Sequence, residues 1–158
     1  MTCFEPIGTI HSPFTEVNGM PIQPVGAQGV AGSIEVLPAF QEGLRDLEGF
    51  SHIIVIYHFH RISGYSLLVK PFLDNTDRGV FATRSPRRPN SIGISVLRLT
   101  GIAANVLHVE NVDILDGTPV LDIKPYVPKF DVWDADRVGW FAGKVEKAES
   151  RKSDERFM

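Results

Sequence analysis

The sequence predicts an all-β or β-rich fold, a barrel of short strands with little helix. Three observations lead there. Apolar and β-branched residues gather in strand-length runs, such as SHIIVIYHFH at Ser51–His60 and IGISVLRL at Ile92–Leu99. The second alternates with period two, which places one face inward. Proline and glycine punctuate the chain between these runs, and no long segment carries a helical apolar period.

Taken in order, Phe4–Ile10 reads as a first strand, stopped by Ser12-Pro13. Asn18–Gly32 (NGMPIQPVGAQGVAG) is a long proline- and glycine-rich loop, a length that compact domains keep for function. Ser33–Leu37 is a strand, and Pro38–Leu47 a short helix or helical turn with Leu44 and Leu47 on its buried side. Ser51–His60 is a central strand, polar only at its ends. Leu67–Val69 is a further short one, and Gly79–Ala82 leads into the loop Thr83–Asn90 (TRSPRRPN), whose two prolines forbid regular structure. Val106–Leu115 and Val120–Ile123 flank Asp116-Gly117, which reads as a turn between strands. Val132–Phe141, with two tryptophans, is expected to pack back on the barrel. From Lys144 the chain is charged and expected to be disordered. The expected organisation is one domain over residues 1–143 and a tail over residues 144–158.

Composition is that of an ordinary globular domain, 43% hydrophobic and 22% charged. A single cysteine, Cys3, excludes an internal disulfide and fits a reducing compartment. The N-terminus lacks the basic-then-apolar pattern of a signal peptide, and no apolar run approaches membrane-spanning length, so a cytoplasmic protein with no membrane partner is expected. The net charge of −3 argues weakly against nucleic acid, but its distribution argues otherwise. From Arg78 to Arg98 there are five arginines and no acid.

Three groups of residues offer chemistry. The arginines of TRSPRRPN present planar donors suited to carboxylates, phosphates and base faces, on a loop that Pro86 and Pro89 stiffen. The alternative is a solvated loop whose arginines pair with acids such as Asp74 or Asp77. His58 and His60 share one face of a strand end and, with His52, have the chemistry of metal ligands. No cysteine or near carboxylate completes a set, so no metal is expected, and ordinary hydrogen-bonded histidines are the plainer reading. In DGTPVLDIKPY, Asp122, Lys124 and Tyr126 alternate and can share one face, where opposite charges two residues apart can also simply pair. There is no G-x-G-x-x-G, P-loop or G-x-S-x-G motif.

Five segments together, IGTIHSPF (Ile7–Phe14), PIQP (Pro21–Pro24), LEGFSHIIVIYHFHR (Leu47–Arg61), GVFATRSPRRPNSIGIS (Gly79–Ser95) and DGTPVLDIKPY (Asp116–Tyr126), resemble the TsaA-like (TrmO) family, in the family's order and over most of residues 4–130. The resemblance implies a single-sheeted β-barrel that binds S-adenosylmethionine and pairs as a homodimer with the cofactor near the interface. It implies N6-methylation of N6-threonylcarbamoyladenosine beside the anticodon of tRNA. Matched motif by motif, it places cofactor contacts at Ile22, Gln23, Pro24, His60, Arg61, Arg84, Ile94, Asp116, Gly117, Thr118 and Pro119. Asp122 and Tyr126 become candidates to orient or accept the N6 proton, and Arg87, Arg88 and Lys124 candidates to hold RNA. Two departures stand out. His60-Arg61 replaces the His-Gln common in bacterial members, and only a charged tail follows where long members carry a C-terminal domain. A small-molecule or other RNA substrate, a non-catalytic RNA- or nucleotide-binding barrel, and a metal-dependent hydrolase built on His52, His58 and His60 are the rival readings.

Overall fold

The computed structural model describes residues 1–22, 24–72 and 74–144, without the side chains of residues 24 and 25. Gln23 and the charged stretch from residue 145 onward lie outside the described residues. Among the described residues eight strands form: β1 Gly8–His11, β2 Ala31–Val36, β3 His52–His58, β4 Leu68–Val69, β5 Arg78–Gly79, β6 Ile92–Ala103, β7 Val106–Glu110 and β8 Pro119–Pro125. Six of them close into an antiparallel barrel in the order β1-β2-β7-β6-β3-β8, while β4 and β5 form a separate two-stranded sheet. Among the described residues helix is confined to short stretches, the longest a 3-10 helix over Pro38–Leu44; Leu44 there is buried, and Leu47 in the following turn packs against the core, as expected.

The strands read their burial from the alternation in the sequence. In β3, Ile53, Val55 and Tyr57 are buried while Ile54 and Ile56 face outward. In β6, Gly93, Ser95, Leu97 and Leu99 are inward. With Ile10, Ile34, Leu107, Val109 and Val120 these residues fill the barrel, so it is a packed core and not a channel.

Two crossovers distinguish this barrel from a simple meander. Because neighbouring strands are antiparallel, β1 ends at one mouth of the barrel, here called the upper end, where β3 also ends and β6 and β8 begin. The chain passes from β2 to β3 across the lower end and from β7 to β8 across the upper end, each time joining strands on opposite walls. Asp116-Gly117 is therefore not a hairpin turn between paired strands, because β7 pairs with β2 and β6, and β8 with β1 and β3. The apolar residues that extend the β7 pattern, Val112, Ile114 and Leu115, leave the ladder after Glu110 and plug the upper mouth instead. Asn111 makes the bend in a left-handed conformation (φ 68°).

Beneath this upper crossover lies a buried polar chain. The Tyr57 hydroxyl is 3.0 Å from Ser95 Oγ, and Ser95 Oγ donates to Asp113 Oδ1 at 2.8 Å. Ser95 has one proton to give and spends it on Asp113, so Tyr57 is the donor to Ser95. Burial pushes the Asp113 carboxyl up to about 7, against the opposing effect of the Ser95 hydrogen bond. Burial, followed by the Asp113 charge, pushes the Tyr57 phenol upward as well. The Tyr57 ring also packs edge-on to Phe59, with centroids 5.4 Å apart. Both rings lie over Gly93, where a Cβ would come within 2.6 Å of Tyr57 Cζ and 2.8 Å of Phe59 Cζ. Gly93→Ala should therefore cost about 1–3 kcal/mol of overpacking in urea denaturation; an unchanged midpoint would show that the rings yield freely.

The Asp113 titration also has a direction. The unfolded carboxyl binds its proton near 3.8 and the folded one near 7, so between those values the folded state holds more protons. The contribution of Asp113 to stability falls as pH rises from about 4 to about 7, and is flat above. Melting temperatures of wild type and Asp113→Asn across that window should differ by a pH-dependent margin, with the variant gaining roughly several degrees on the wild type by neutral pH. Parallel curves would mean that Asp113 titrates normally.

Candidate functional site

The upper end of the barrel collects segments far apart in sequence. The residues after β1, the first long loop, the end of β3 and the β7–β8 crossover all finish there. Their contacts are mostly backbone-directed, which fixes them firmly. Asp116 N donates to Phe14 O at 2.7 Å and Gly117 N to Ile10 O at 2.8 Å. Ser12 answers with its own N–H to Asp116 Oδ1 at 3.0 Å and its hydroxyl to Ile114 O at 2.6 Å. The first loop is tied to the other end of the crossover, with Gly29 N donating to Asn111 Oδ1 at 2.8 Å and Val112 N to Val30 O at 3.1 Å.

Thr118 and Pro119 turn the chain into β8, the Thr118 hydroxyl being spent on Leu115 O at 2.6 Å. Gly117 adopts φ 82° and presents no side chain; a Cβ there would lie 4.0 Å from His60 Nε2. His60 thus stands directly over the turn. Burial first, and then the neighbouring Arg61 and His58, hold its imidazole below the ordinary histidine pKa, so it is neutral at pH 7 and able to accept a proton. Asp116 is half-exposed at the rim, with His11 Nδ1 3.7 Å from the oxygen that Ser12 engages.

The arginine loop is rigid, but by more than its prolines. Thr83 Oγ1 donates to Val80 O and accepts from Ser85 N, and Ser85 Oγ accepts from Arg87 N. Arg88 Nη1 reaches Thr83 O at 3.0 Å and Ser85 O at 3.1 Å, so one edge of that guanidinium braces its own loop. Arg84 is exposed, and its charge acts on Tyr57. Of the two acids suggested as partners for these arginines, Asp74 is engaged elsewhere: Lys144, then Arg78, hold its carboxyl well below the usual carboxylate range. Trp140 Nε1 donates to Ala82 O at 2.7 Å, so the C-terminal part of the described chain does pack back, onto the segment leading into the arginine loop.

Other residues singled out in the sequence fall elsewhere. Ile94 lies on the outer wall of β6, opposite Ile56 of β3 and level with Asp122 of β8. Asp122 and Lys124 do share the outer face, and they pair at 2.7 Å. Tyr126 follows β8 at the lower end, edge-on to His52, so the length of β8 separates it from the Asp116 turn. His52 and His58 sit at opposite ends of β3, and no three His, Cys, Asp or Glu side chains gather as a metal site among the described residues. A recess of about 380 Å³ also opens at the lower end, between Phe40, Leu44, Phe50 and Ile123, away from the upper cluster. The buried Tyr57–Ser95–Asp113 chain escaped sequence reading. Its signal was Ser95 at an inward phase of β6, between Gly93 and Leu97.

Comparison with known proteins shows the family. The model of the tRNA-methyltransferase O N-terminal domain matches residues 9–132. A probable S-adenosyl-L-methionine-binding protein of Pyrococcus abyssi is 55% identical over 158 residues, all of this chain and 86% of the relative. The tRNA (adenine(37)-N6)-methyltransferase of Escherichia coli is 38% identical over 135 residues, covering 79% of this chain but only 57% of the relative. The crystal structure of TrmO from Pseudomonas aeruginosa superposes with a TM-score of 0.74 at 43% identity, over 89% of this chain and 62% of that one. This chain therefore spans little more than half of the named methyltransferase and under two thirds of the solved one. With a matching domain over most of its length and relatives well above 30% identity, the chain belongs to the tRNA-methyltransferase O family.

Proposed function

We propose that this protein is an S-adenosylmethionine-dependent methyltransferase acting on the N6 nitrogen of N6-threonylcarbamoyladenosine beside the anticodon of tRNA. The observation that carries the reading is the meeting of the first loop, the His60 strand end and the Asp116–Pro119 turn at one mouth of the barrel. The names of the relatives, S-adenosyl-L-methionine-binding protein and tRNA (adenine(37)-N6)-methyltransferase, support it. A tRNA substrate supports the cytoplasmic location we propose with it.

The groups at the upper mouth fit the cofactor's chemistry. Asp116 offers a carboxylate to a cation or to ribose hydroxyls, exposed Arg84 offers a guanidinium to a carboxylate, and Gly117 leaves space beside the His60 ring. We assign Ile22–Pro24, His60, Arg61, Arg84 and Asp116–Pro119 to cofactor binding, and the arginine loop with Arg87, Arg88 and Lys124 to RNA. When bound, S-adenosylmethionine supplies a methyl group already activated by its sulfonium. The protein's part is then to align the acceptor nitrogen and to remove its proton, which the flanking carbonyl makes necessary. We give proton acceptance to His60 over Asp122 and Tyr126. His60 is neutral and beside the turn, whereas Asp122 is paired with Lys124 and Tyr126 stands at the lower end.

The homodimer has a surface to form on. Register places Ile54 beside Val96, Ile56 beside Ile94 and His58 beside Ile92 on the outer wall of β3 and β6, with Ile92 and Ile94 39% and 48% exposed. A two-fold pair on this wall would cover that apolar strip and carry Ile94 into the interface.

Incubation with bulk tRNA and S-adenosylmethionine, followed by nucleoside mass spectrometry, should show the threonylcarbamoyl nucleoside gaining one methyl group. Cofactor uptake without transfer would leave a binding module. The acid limb of kcat/KM should fall below the ordinary histidine range, and His60→Gln should abolish that limb with a loss of roughly 100-fold in rate; a variant with the wild-type profile would remove His60 as the base. Ile94→Glu should turn a dimer into a monomer in light scattering, and a persisting dimer would move the interface off this wall.

A further inference from the structure

The buried Asp113 has no part in the chemistry above, yet it is the residue of the upper crossover that the barrel interior holds most specifically. It lies three residues before Asp116 and its carboxylate is the end point of the chain from Tyr57 on β3 through Ser95 on β6. The crossover does not need it for adhesion, because Val112, Ile114 and Leu115 on either side are already buried in the upper mouth. An apolar side chain would fill the site without the cost of desolvating a carboxyl. What apolar contacts lack is direction: a plug held by them alone can slide or rotate, whereas a hydrogen bond with a set donor fixes its depth and register. Asn111 at one end of the segment holds Gly29 of the first loop, and Asp116 at the other end is bonded to Ser12. A shift of Asp113 therefore moves both walls of the upper mouth together.

We propose that Asp113 is a positioning residue for cofactor binding, its bond to Ser95 setting the crossover at the depth where the Asp116–Pro119 turn meets His60. The role rests on the proposed cofactor site at that turn. Tyr57 is the titratable group that faces Asp113 through Ser95, and the Arg84 charge acts in turn on Tyr57.

The test separates position from stability. S-adenosylmethionine affinity is measured by calorimetry for wild type, Asp113→Leu, Asp113→Asn and Ser95→Ala, each well below its own melting temperature. Asp113→Leu should melt no lower than wild type and bind the cofactor roughly tenfold more weakly, the effect of one lost directional bond. Asp113→Asn keeps an oxygen that accepts the Ser95 proton and should recover most of the affinity. Ser95→Ala removes the donor and should weaken binding as Asp113→Leu does, which keeps the test open should the leucine variant fail to fold. A Ser95→Ala protein that binds as tightly as wild type, or an affinity loss that only follows a fall in melting temperature, overturns the positioning role while leaving the cofactor reading intact. A wild type that takes up no S-adenosylmethionine overturns both.

Discussion

The seam between β1 and β8 governs this structure. Only Gly8–Val120 and Thr9–Pro119 pair in register there, and the closure is completed by Ile7 N to Val120 O, Ile10 N to Thr118 O and Gly117 N to Ile10 O. Those few bonds turn an open, edge-bearing sheet into a barrel. The same bonds hold the Asp116–Pro119 turn, so the interaction that closes the fold is also the one that builds the floor of the proposed site. Gly8, which pairs with Val120 across the seam, is crowded from the other side, since a Cβ there would lie within 3.0 Å of Val36 Cα on β2.

The two crossovers divide the labour between the barrel's ends. The lower one, through Pro38–Leu44, seals the core with Leu44 and Leu47. The upper one seals it with Val112, Ile114 and Leu115 but also carries polar groups whose bonds run inward to Ser95 and outward to Ser12 and Gly29. A packed interior transmits such constraints because it has no slack to absorb them. The rim above it is then free to be exposed, charged and specific.

Much of the fold was legible because barrel strands write their inward face into the sequence. The period of two in Ile92–Leu99 and the β-branched run around Ile53–Tyr57 gave strand type and burial directly. Connectivity was not legible. An Asp-Gly turn after an alternating segment looks the same whether the chain folds back beside itself or crosses a barrel mouth, and the apolar Val112, Ile114 and Leu115 prolong the β7 pattern although they are a plug. Similarly, Asp122, Lys124 and Tyr126 share a spacing, but spacing cannot say that Tyr126 has left the strand for the lower end. The segments that meet at the upper end were singled out by motif resemblance, whereas the Ser95–Asp113 bond depends on which wall Ser95 faces.

The sequence distance across the seam sets the order of events during synthesis. The first strand emerges from the ribosome more than a hundred residues before its partner β8, and until then one of its edges has nothing to bond. β1 and β2 pair early as local neighbours, but the mouth cannot form until the chain through Pro125 is out. A nascent or truncated chain that stops short of β8 thus holds most of the barrel's residues and none of its finished site. The mouth of the barrel is therefore completed in a single late step, once β8 has closed the seam.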